Sequence, residues 1–87
     1  MTKDVESVVI AAIRKVARLV GRDTALDRAT QLIDEELLDS VELLQLVMEL
    51  ETAYTTEIPL EELTPENFAD VGAVVHLVTR QLGSVRQ

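Results

Sequence analysis

Eighty-seven residues with no cysteine and a formal net charge of −8 describe one small domain, 1–87, able to bury about 60% of the surface its unfolded chain exposes. Without thiols there is no disulfide framework, thiolate metal site or cysteine nucleophile. The charge is segregated: Met1 to Thr30 holds six basic and four acidic residues, Gln31 to Ala69 no basic and eleven acidic, and Asp70 to Gln87 two basic and one acidic. The central stretch therefore repels nucleic acid and anionic membranes and attracts basic protein surfaces.

In chain order, Val5, Val8, Val9, Ala12, Ile13, Val16, Leu19 and Val20 recur at helical spacing, and Gly21 follows as a stop, which predicts a first helix over Asp4 to Val20. The apolar run inside it, "VVIAAI", is too short to span a bilayer and its acidic flank makes a poor signal peptide, so a cytoplasmic protein is expected. Gly21 to Asp39 has no sustained period and reads as a long loop pinned to the core by Leu26, Leu32, Ile33, Leu37 and Leu38. Asp39 then caps a second helix, with Glu42 three residues on as in a capping box, running to about Thr55. Pro59 breaks the pattern. Thr64-Pro65 opens a short helical turn through Phe68, and Asp70 caps a last helix with Val71, Val74, Val75, Val78 and Leu82 on its apolar face, ending at Gly83. The expected fold is all-α: three main helices, a short one and a long loop.

The second helix carries more apolar residues than one buried face needs. Counting about 100° per residue from Val41, Leu43, Leu46, Val47, Leu50 and Tyr54 fall in one arc of roughly 100°, the core face. Val41, Leu44 and Met48 form a separate stripe close to Gln45 and Thr52 and flanked by Glu42, Glu49 and Glu51. Either the long loop folds over this stripe, or it is an exposed apolar patch among carboxylates, a form suited to protein docking. Asp39-Ser40 also admits two readings. Both residue types are ordinary helix caps, yet a serine at a helix N-terminus sits where free amides and the macrodipole favour a phosphate ester.

The run "LLDSVELLQLVMELETAYTTEIP", Leu37 to Pro59, resembles the acyl carrier protein superfamily: Asp-Ser opening the second helix, Leu44 and Met48, the pair Leu50-Glu51, then Tyr54 and Ile58. "TPENFADVGAVVHLV" is similar to the later helices of free-standing carriers. The resemblance implies an antiparallel four-helix bundle with 4′-phosphopantetheine on Ser40, preceded by Asp39, transferred from coenzyme A by a phosphopantetheinyl transferase. It implies a non-catalytic, monomeric carrier of acyl, aryl or aminoacyl thioesters. Its partners would be an acyl- or aminoacyl-adenylating ligase and downstream acyl- or peptidyl-processing enzymes, docked through Val41, Glu42, Leu44, Gln45, Met48 and Glu51. Two departures bear on the subtype. Leu37 stands where many carriers have glycine, and Val41-Glu42 where fatty-acid carriers usually have Leu-Asp, which points toward specialised biosynthesis or aminoacylation.

The alternative is a small acidic interaction module with no prosthetic group. His76, the only histidine, has no nucleophile suggested beside it, and a hydrolase is not expected. Asp34, Glu35, Glu36 and Asp39 lack the spacing of a calcium loop, so no metal site is expected.

Overall fold

The computed structural model describes residues 4–18, 25–34 and 37–85. Its order is α1 (Val5–Val16), α2 (Ser40–Tyr54), a 3-10 turn at Leu60–Glu62, a second at Pro65–Phe68, and α3 (Val71–Val85). α1 packs on both other helices, and the second 3-10 turn packs on α3. Their apolar faces meet in one core that includes Val9, Ile13, Leu46, Leu50, Val71, Val74 and Leu77, all at most 1% exposed. The all-α reading stands, with three α-helices among the described residues and the expected short helix formed as a 3-10 turn.

Two boundaries differ from expectation. α1 ends at Val16 rather than Val20: the Ala17 amide still donates to the Ile13 carbonyl (2.8 Å), but Arg18 turns left-handed at φ 62°, which no helix propagates. The rest of the expected helix and its stop, Leu19 to Gly21, lies outside the described residues. α3 runs past Gly83 to Val85, because Gly83 keeps helical backbone and nothing crowds it. Leu77, absent from the expected face of α3, is fully buried because that helix meets α1 and the second 3-10 turn together, widening its apolar arc. The 3-10 turn at Leu60–Glu62 was also unforeseen. Proline at position 59 has φ −59°, already suited to opening a turn.

The loop between α1 and α2 is sewn to the start of α3. Val71 and Gly72 amides, left without helical acceptors at an N-terminus, donate to Thr30 (3.1 Å) and Arg28 (2.9 Å) carbonyls, and Leu32 donates to Ala69 (2.9 Å). Asp27 and Thr30 shape the intervening turn with side-chain bonds to the Ala29 and Asp27 amides, both 2.9 Å. Leu32 and Leu38 enter the core, and Leu26, Ile33 and Leu37 pack against it. The pinning leucines are the expected ones. Spent in this way, they leave the α2 stripe uncovered.

Candidate functional site

α2 starts where it does because Asp39 and Glu42 cap it reciprocally. The Glu42 amide donates to Asp39 Oδ1 (2.8 Å) and the Asp39 amide to Glu42 Oε1 (3.1 Å), while Leu43 donates to the Asp39 carbonyl (2.9 Å). The box places Ser40 at the first helical position with its side chain exposed. At that position the amides of Ser40 and Val41 have no acceptor within the helix, and the macrodipole adds positive potential. An ester phosphate on Ser40 Oγ would be met by donors and by favourable charge.

Beside the serine lies an apolar groove of about 340 Å³ between α2 and the second 3-10 turn. Ser40, Leu43, Leu44 and Val47 line it from α2, with Leu63 and Phe68 opposite. Phe68 is buried and held by a turn that Thr64 caps through its hydroxyl to the Asn67 amide (3.4 Å). Chemically, the arrangement offers an exposed hydroxyl for esterification next to concave apolar surface. The groove was not foreseen, since Leu63 and Phe68 are brought to Ser40 only by tertiary packing.

The stripe is exposed: Val41 at 63%, Leu44 at 57% and Met48 at 64%. On the opposite arc of the same helix Leu46, Val47 and Leu50 are buried, with Leu43 and Tyr54 packed against the core. The Tyr54 hydroxyl is buried without a hydrogen-bond partner, and burial first, then the charge of Asp4, holds its pKa above the ordinary tyrosine value. Gln45 is exposed beside the stripe. Glu42 and Glu51 are less free than the sequence suggests. Glu42 is half of the capping box, and Glu51 Oε2 accepts from the Ile58 amide (2.9 Å), fastening the chain after α2.

Carboxylates do not ring the stripe alone. Lys15 of α1 reaches Glu49 (3.1 Å), and Lys15 and Arg18 line one depression with Gln45 and Met48. His76 is exposed on α3. Among the described residues no group of histidine or carboxylate side chains could hold a metal ion, and no helix is long and apolar enough to cross a membrane.

Comparison with known proteins gives a consistent picture. Residues 7–78 match the family model described as a phosphopantetheine attachment site. Aminoacyl carrier protein 2 of Bradyrhizobium diazoefficiens is 28% identical over 81 residues, 93% of this chain and 90% of that protein. A chain in the crystal structure of Bradyrhizobium japonicum glycine:[carrier protein] ligase, complexed with its cognate carrier protein and an analogue of glycyl adenylate, superposes with a TM-score of 0.70 at 26% identity. That match covers 90% of this chain and 100% of the other. A chain in the same ligase's complex with glycylated carrier protein shares the fold, with a TM-score of 0.67 at 24% identity, covering 85% of this chain and 99% of that one.

Proposed function

Because the chain belongs to the family of phosphopantetheine attachment sites, we propose that Ser40 is its attachment residue and that the protein is a non-catalytic carrier, loaded by an adenylating ligase. The prosthetic group is 4′-phosphopantetheine, which supplies a terminal thiol able to carry an acyl or aminoacyl group as a thioester. The observation that carries the assignment is the position of Ser40: exposed, first in α2, and fixed by the Asp39–Glu42 box. Ser7, the other serine within the matched residues, lies inside α1 and points its hydroxyl at Asp4 Oδ2 (3.4 Å). Asp39 holds the helix start, and so the serine, in place.

An amino acid is the favoured cargo, since the curated relative is named an aminoacyl carrier protein and the similar solved complex is that of a glycine:[carrier protein] ligase with its cognate carrier. Partners dock on Val41, Leu44 and Met48, with Gln45 beside them and Glu42 and Glu51 serving chiefly to hold the helix ends. Specialised biosynthesis or aminoacylation in the cytoplasm, by a monomer, completes the reading. Incubation with coenzyme A, Mg²⁺ and a broad-specificity phosphopantetheinyl transferase should add the mass of one phosphopantetheine, and Ser40→Ala should abolish the gain. Modification at Ser7 or Ser84, or none with several transferases, overturns the assignment.

A further inference from the structure

Four large apolar side chains are strongly exposed among the described residues, and only three belong to the α2 stripe. The fourth, Leu60, is the most exposed of all at 81%. A lone leucine on a surface is ordinary; this one is held out by a turn braced from several sides. The Glu62 amide donates to the Pro59 carbonyl (2.9 Å) and the Leu63 amide to Leu60 itself (3.0 Å). Before the turn, Glu51 takes the Ile58 amide and Ile58 is buried. After it, Asn67 Nδ2 donates to the Glu62 carbonyl (2.7 Å) and Arg80 pairs with the Glu62 carboxylate (3.3 Å). The backbone under Leu60 is therefore ordered before any partner arrives, while its side chain contributes almost nothing to the core.

We propose that Leu60 is a second partner anchor, beyond the end of α2, and that it enters an apolar pocket rimmed by arginine or lysine on the enzymes that act on this chain. The rim follows from charge. Glu57 and Glu61 flank the leucine and are exposed, while Arg80, the cation that reaches this turn among the described residues, is taken up by Glu62. An acidic partner surface would meet repulsion there, whereas a basic one is attracted and brings its pocket onto the leucine. A pre-ordered turn lowers the entropy lost on docking, so one side chain can matter. Two anchors on one rigid body, the stripe and Leu60, also fix how the partner is rotated about the α2 axis.

The inference rests on the carrier reading, and the test separates the two. Initial rates of phosphopantetheine transfer are measured against chain concentration for wild type, Leu60→Ser and Leu60→Met, and the modified chains are then assayed with a glycine:[carrier protein] ligase. Leu60→Ser should melt at the wild-type temperature yet raise KM for the chain about three- to tenfold with at least one of the enzymes, kcat staying within about twofold. Leu60→Met, which keeps an apolar anchor, should behave as wild type. Equal KM values for wild type and Leu60→Ser with both enzymes overturn the second anchor alone, as does a methionine variant impaired as badly as the serine one. A wild-type chain that accepts no phosphopantetheine overturns the carrier reading and this inference with it.

Discussion

Gly72 and Gly83 stand on the same helix and face opposite demands. A Cβ on Gly72 would lie 3.2 Å from the Arg28 carbonyl oxygen, which is backbone and itself holds the Gly72 amide, whereas a Cβ on Gly83 meets nothing within 4 Å. Gly72→Ala should therefore destabilise the fold by about 1 kcal/mol or more, by pushing the loop off α3. Gly83→Ala should stabilise it by about 0.5–1 kcal/mol, since helical glycine costs that much relative to alanine. Chemical denaturation of the two variants checks both signs. Both effects elude the sequence, where Gly83 reads as a stop and nothing singles out Gly72. The Asp39–Glu42 box, by contrast, was legible from spacing alone, because both partners lie within one turn. Glu51 was legible as a carboxylate near the stripe but not as the acceptor for Ile58, a bond that exists only once the chain has turned after Thr55 in its left-handed conformation, φ 50°.

α2 carries two apolar arcs, and the same chemical change on each should give different results. Leu46→Ala or Leu50→Ala opens a cavity in a tight core and should cost on the order of 2–5 kcal/mol, a large share of what so small a domain has. Leu44→Ala or Met48→Ala should shift stability by no more than about 0.5–1 kcal/mol, because those side chains are more than half exposed. The stripe variants should nonetheless slow loading by partner enzymes, which melting temperatures and loading rates on the four proteins test together. Equal destabilisation by both pairs would place Leu44 and Met48 in the core and defeat the docking role. The two arcs could be read from periodicity because a helix repeats regularly. The arc that faces the core was readable from the same periodicity, but whether the loop covers the other arc was not, because its path depends on backbone bonds from residues 28–32 to 69–72 that leave no trace in local sequence.

At the scale of the whole molecule the net charge of −8 governs encounter more than stability. Loading by an adenylating ligase should slow as salt rises, with kcat/KM falling about three- to tenfold between ~0.05 and ~0.5 M, since exposed charges are screened within ~10 Å at 0.1 M. A flat profile would mean that the acidic segment does not guide docking. Charge segregation was visible in the sequence; the placement of Lys15 against Glu49, which brings a cation to the stripe's edge, was not, because it depends on how α1 crosses α2. The stitching of the α1–α2 loop to α3 carries a consequence in time. Helical turns form from neighbours, but the bonds from Gly72 to Arg28 and from Val71 to Thr30 join positions about 40 residues apart, and closing such a span costs roughly 3 kcal/mol of chain entropy before any bond repays it. These clasps should therefore be late events in folding, and the Val71 and Gly72 amides should exchange with solvent only when the whole domain opens.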